Sequence, residues 1–196
     1  RRNPGIDIDV LQKYADKDVR AFMRRMAVSK NTMAESWSPK SKGLSDYRGI
    51  CINADHAKDS VKLIESLKRQ VERKWHPIGS ETIRSILDHE MGHQLDDLLE
   101  ISKIAEIQKL FDSRSRKELT EDLSEYAWNN KNAKRYSEMI AEAWAEYCTN
   151  SNPREIAKLV GETIKREYNK KFVPDSAEYK DYQAKLQEAA KRRGLL

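Results

Sequence analysis

Two histidines four residues apart with a glutamate between them, His89-Glu90-Met91-Gly92-His93, constrain this chain more than any other run in it. An α-helix turns about 100° per residue, so His89 and His93 stand one above the other on one face. There both imidazoles reach a single Zn²⁺ at about 2.0–2.1 Å. Glu90 sits beside them, placed to take a proton from a water that the metal polarises and to pass it to a departing amine. Those are the general base and acid of a metallopeptidase. With 4 His in 196 residues, an accidental run of this form is roughly a 0.7% event. The run must also lie on a helix. Ser80 to Glu100 predicts one, because Ile83, Ile86, Leu87, Met91, Leu95, Leu98 and Leu99 recur at spacings of three and four. Pro77 and Gly79 break the chain before Ser80, which reads as the N-cap.

A catalytic zinc of this kind needs three protein ligands and one open position, so a third ligand must come from elsewhere. Cys51 lies in an apolar stretch and Cys148 on another helix, with no ligand spacing around either. Carboxylates serve better. Tyr136 to Tyr147 is helical in pattern, and Glu138, Glu142 and Glu146 repeat every four residues along one stripe. Like charges at that spacing repel, and these three are flanked by Met139, Ile140, Ala143 and Trp144. A cation facing the stripe would account for them, and a solvated acidic face is the alternative.

Three pieces together, His89 to Asp96, Leu123-Ser124-Glu125-Tyr126-Ala127 and Glu138-Met139-Ile140-Ala141-Glu142-Ala143-Trp144, resemble the anthrax lethal factor type of metallopeptidase domain. That family comprises zincins whose third ligand is glutamate, with secreted bacterial peptidases and phage head proteins among its relatives. The resemblance covers roughly residues 45 to 150. It implies one Zn²⁺ held by His89, His93 and Glu138, with Glu142 supporting the site from behind. It also implies a tyrosine that donates to the oxyanion. Tyr126 matches best, but Asn129 to Arg135 is expanded relative to the family, which leaves Tyr136 as a rival. Asp96, one turn beyond His93, is expected to hold a ligand histidine by its far ring nitrogen. An edge strand beside the motif helix binds substrate in this class, which here assigns Gly49, Ile50, Cys51 and Ile52 to substrate binding.

The remaining segments are mainly helical. Asp9 to about Val28 predicts a helix, and the polar stretch after it, with Pro39 and Gly43, predicts a loop. Tyr47 to Asn53 predicts a strand. Ala57 to Trp75, Ile101 to Phe111, Lys117 to Trp128 and Arg154 to Tyr168 predict helices, the last opened by Pro153. His76 before Pro77 is expected to be structural, and His56 near the strand end likewise. Asp175 to Arg193 reads as a charged peripheral helix or a partner contact. The fold class is therefore α+β, mostly α: a zincin-like metallopeptidase domain over 1–173, with an N-terminal helix and loop over 1–44, and a helical tail over 174–196.

Apolar runs fall far short of the roughly 20 residues that a membrane helix needs. The net charge of +5 is a small excess of 37 basic over 32 acidic groups. The clusters Lys165-Arg166, Lys170-Lys171 and Lys191-Arg192-Arg193 have no nucleic-acid motif around them, so neither nucleic acid nor membrane is expected as a partner. An opening at Arg1 without Met reads as a piece of a larger polypeptide or virion, which leaves phage, host cytoplasm and secretion open as addresses. The expected function is zinc-dependent hydrolysis of a protein or peptide substrate, including as a toxin domain. The alternative is a phage head or virion assembly protein that keeps the zinc site with little catalysis. A structural zinc is closed by a fourth protein ligand, whereas a catalytic one keeps that position open.

Overall fold

The structure is a computed structural model that describes residues 32–37, 49–128 and 136–192. The helix expected over Asp9 to Val28, the polar stretch after it apart from residues 32–37, and the expanded stretch Asn129 to Arg135 lie outside the described residues. Among the described residues the chain is mostly helical, with one antiparallel pair of strands. No helix among them is long and apolar enough to cross a membrane.

Strand β1 (Ala34–Trp37) pairs with β2 (Gly49–Ile52), Ala34 opposite Ile52 and Trp37 opposite Gly49. β2 falls inside the stretch expected as a strand, but β1 falls where a loop was expected. Ala-Glu-Ser-Trp carries little intrinsic strand preference, and its conformation comes from its partner strand. The Asn53 amide extends the pairing to Met33 O at 2.8 Å, and its side chain holds Thr32 O at 3.0 Å. Helices α1 (Ala54–Ala57) and α2 (Ser60–Glu72) follow, α2 capped by Asp59. The motif helix α3 spans Ile83–Leu99. Its N-cap is Thr82, whose hydroxyl accepts from the Ser85 amide at 3.2 Å. Ser80, expected to cap it, belongs to the preceding turn, with its amide on Pro77 O.

Beyond α3, a 3-10 turn (Ile101–Lys103) leads into α4 (Ala105–Asp112) and α5 (Arg116–Asp122). The helix expected through Trp128 stops at Asp122, and a second 3-10 turn covers Tyr126–Trp128. Then come α6 (Ser137–Thr149), α7 (Glu155–Phe172) and α8 (Ala177–Arg192). The strand pair lies against α3, α3 against α6, α6 against α7 and α7 against α8. No residue of α8 is buried, as a peripheral helix requires. The apolar core fills the space around α6: Phe111, Leu119, Leu123, Met139, Ile140 and Ile156 are among its fully enclosed members. Phe111 stacks on Trp128 at 4.9 Å between ring centroids and takes the Tyr136 ring edge-on at 5.5 Å.

The buried face of α3 is not its apolar stripe. Ile83, Met91 and Leu98 are exposed, whereas Ser85, Asp88, Glu90, Gly92 and Asp96 are buried with Leu99. Helix α6 is similar, for Glu142 and Glu146 are fully enclosed beside Ala141, Ala143 and Ala145. Polar groups that leave water must find partners inside: those of Ser85, Asp88 and Asp96 lie within six residues, whereas those of Glu142 come from distant segments. The two helices meet at Gly92, where an added Cβ would stand 2.7 Å from Ala141 Cα and 3.3 Å from Trp144 Cβ. Alanine is the better helix former by about 1 kcal/mol, yet here it collides with backbone. Gly92→Ala is therefore expected to destabilise the fold by about 1–3 kcal/mol. Thermal unfolding followed by circular dichroism reads it, and a variant with a raised midpoint would contradict the close approach.

Candidate metal centre

Helical spacing brings His89 and His93 together on α3, with ring centroids 4.9 Å apart. Opposite them, α6 presents Glu138. Its Oε2 lies 3.5 Å from Nε2 of each histidine, so three ligand atoms converge from two packed helices. That oxygen is buried and has no hydrogen-bond partner. A buried carboxylate oxygen without a partner is costly, and a cation shared with the two imidazoles would satisfy it. The donor set, two imidazoles and a carboxylate with no thiolate, suits a zinc site that keeps a position open. Among the described residues the group has these three members.

Both histidines have a polar neighbour behind them. His93 Nδ1 lies 2.8 Å from the Ser137 hydroxyl; with the proton on Nδ1, its Nε2 lone pair faces Glu138. His89 Nδ1 lies 2.7 Å from Glu142 Oε1, close in distance although the ring N–H points off the line between them. Glu142 also accepts from the Ser124 hydroxyl at 2.8 Å and meets His76 Nδ1 at 3.1 and 3.2 Å. Asp96 does not serve a histidine as expected. Its Oδ1 accepts from the Ser102 amide at 2.7 Å and so anchors the turn after α3, and Ser137 takes the place at His93. Glu146, the last acid of the stripe, is held by Arg154, whose Nη2 reaches Oε2 at 2.6 Å and whose amide reaches Oε1 at 2.8 Å. The three acids thus have three different solutions.

Electrostatics follow from this crowding. Burial would raise the Glu138 carboxyl, but the two histidines hold it down to about 2. Burial would raise Glu142 too, yet His76 and His89 keep it far below the ordinary carboxylate range. Burial works against a charged His89, but Glu138 and Glu142 outweigh it and raise the imidazole well above its usual value. For Glu90 burial wins and pushes its carboxyl up.

The centre borders a cleft of about 970 Å³ through His89, which lines it with Glu90, His76, Tyr126 and Trp128 among others. Tyr126 is placed there by main-chain bonds: the Glu125 amide donates to Lys74 O at 2.8 Å and the Tyr126 amide to Trp75 O at 3.1 Å. Its ring lies 5.8 Å from His89 and 5.4 Å from His76. Tyr136 points elsewhere, its hydroxyl 3.1 Å from Asp112 Oδ2. Of the strands, β1 and the residues before it reach the cleft, through Thr32, Met33 and Ala34, and Ser36 Oγ accepts from Gln94 Nε2 of α3 at 2.5 Å. Of the expected substrate strand, Ile50 and Ile52 do not line it, and Gly49 and Cys51 fall outside the residues whose side chains are described; β1, their partner strand, reaches the cleft at Ala34.

Sequence reasoning missed His76, Ser124, Ser137 and β1. His76 stands 66 residues from Glu142 with no ligand spacing around it, and a serine before a glutamate on a helix carries no signal of its own. Compared with protein families, curated proteins and solved structures, the chain matches none of them. Glu138→Ala is expected to lose zinc binding in a chelator-competition titration, and Ser137→Ala to weaken it roughly 10–100-fold. Wild-type affinity in Ser137→Ala would remove Ser137 from the support of His93.

Proposed function

We propose that this chain is a zinc-dependent endopeptidase of the lethal factor-like zincin kind. The observation that carries the reading is the convergence of His89, His93 and a Glu138 oxygen that makes no hydrogen bond, with His89 and the neighbouring Glu90 on the wall of a cleft. Three candidate ligands among the described residues suit turnover better than the four-ligand, closed zinc of a structural or assembly protein. Zn²⁺ held by His89, His93 and Glu138 would supply Lewis acidity, polarising the scissile carbonyl and making water a stronger nucleophile.

The chain's own residues do the rest. Glu90 takes a proton from the attacking water as the C–O bond forms. Burial raises its carboxyl toward the operating pH, where a base both accepts and returns a proton well. The same carboxyl then gives that proton to the amide nitrogen as the C–N bond breaks. Tyr126, on the cleft wall by His89, is the candidate donor to the oxyanion, a hydrogen bond that strengthens only as charge develops. β1, at the cleft, offers main-chain groups to an extended peptide, which would add as a further strand.

A peptide-library digest with zinc-loaded protein tests the reading. Glu90→Gln is expected to keep zinc and lower kcat/KM by roughly 10²–10⁴. Tyr126→Phe is expected to lower kcat by roughly 10²–10³, and Tyr136→Phe to leave it unchanged. Full activity in Glu90→Gln would overturn the mechanism, and loss in Tyr136→Phe with none in Tyr126→Phe would reverse the choice of donor.

A further inference from the structure

We propose that His76 is a positioning residue of the metal centre: it locks the carboxylate of Glu142, and through it fixes which nitrogen of His89 faces the cation. The proposal rests on the zinc reading above. Glu142 is 1% exposed, and its two oxygens offer about four lone-pair sites that water does not reach. The Ser124 hydroxyl donates to Oε2, and His89 Nδ1 lies against Oε1. Of those two contacts only that of Ser124 is a hydrogen bond, because the ring N–H of His89 points off the line to Oε1. His76 Nδ1 stands 3.1 and 3.2 Å from the two oxygens, and a donor there, arriving from a different segment than Ser124, gives the carboxylate a further hydrogen bond that together with that of Ser124 holds its plane.

With the plane held, Oε1 stays opposite His89 Nδ1. The proton is kept on that nitrogen, and the Nε2 lone pair is left for the cation beside Glu138. His76 is itself fixed. The two residues before it are bonded through the main chain to Glu125 and Tyr126, and its ring meets that of Tyr126 at 5.4 Å. The relay His89–Glu142–His76 therefore joins α3, α6 and the segment after α2. If His76 only filled an acceptor site on a buried carboxylate, its loss would cost stability and leave cation affinity alone. A positioning role makes affinity fall as well.

The test is zinc affinity by chelator competition, with the visible spectrum of the Co²⁺ form, on the full chain and its His76→Leu and His76→Asn variants. Leucine keeps bulk without a donor, and the asparagine amide restores an N–H near the Nδ1 position. Expected are a roughly 10–100-fold loss of zinc affinity and an altered Co²⁺ spectrum in His76→Leu, with most of both recovered in His76→Asn. Thermal unfolding of the metal-free proteins reads the structural contribution separately. A His76→Leu variant that is less stable but binds zinc with wild-type affinity overturns the proposal. If that variant does not fold, His76→Gln takes its place, its amide reaching past the Nδ1 position; wild-type affinity and spectrum there would overturn the proposal equally. A wild-type chain that binds neither ion overturns the zinc reading itself, and the role of His76 with it.

Discussion

The close approach of α3 and α6 at Gly92 and Ala141 is the constraint on which the rest of the structure depends. A side chain at either point of contact larger than those present would separate the helices. Separation would draw Glu138 away from the two histidines and Glu142 away from His89. The chemistry-bearing residues are set along the same contact: His89, Glu90 and His93 on one helix, Glu138 and Glu142 on the other. Packing and function therefore share one interface, and the small residues in it serve both.

That interface brings three carboxylates and two imidazoles into little space, so charge balance governs what else the fold must supply. Glu146 is neutralised by Arg154, which also ties the start of α7 to the carbonyls of Glu121 and Leu123. Glu142 is shared among His76, His89 and Ser124. Glu138 is left with an oxygen that meets only the two imidazole nitrogens at 3.5 Å. A buried ion pair is weak evidence for stability, since desolvation offsets much of the attraction. An acid stripe arranged in this graded way is better explained by what its open end holds than by what it adds to folding.

Some of this was legible in the sequence, because it follows from local geometry. The i, i+4 spacing puts His89 and His93 on one face of any helix, and the repeat of Glu138, Glu142 and Glu146 puts three acids on one stripe. What each acid meets was not legible, since Arg154, His76 and Ser124 arrive from other segments. The face that α3 buries was not legible for a related reason. Hydrophobic periodicity locates a helix, but here polar residues with internal partners took the inside, and Met91 and Leu98 were left in water. β1 was missed because its conformation is conferred by pairing. Resemblance alone preferred Tyr126 to Tyr136 in the sequence; two main-chain bonds between 74–75 and 125–126 put Tyr126 at the cleft, while the Tyr136 hydroxyl lies by Asp112.

The central claim is a single zinc held by His89, His93 and Glu138, with one position open to exchangeable solvent. X-ray absorption at the zinc edge of the loaded protein tests it most directly. The account predicts a shell of nitrogen and oxygen at about 2.0–2.1 Å, with outer scattering from two imidazoles and no sulfur. A sulfur shell at about 2.3 Å, or a fourth protein ligand closing the site, would contradict it.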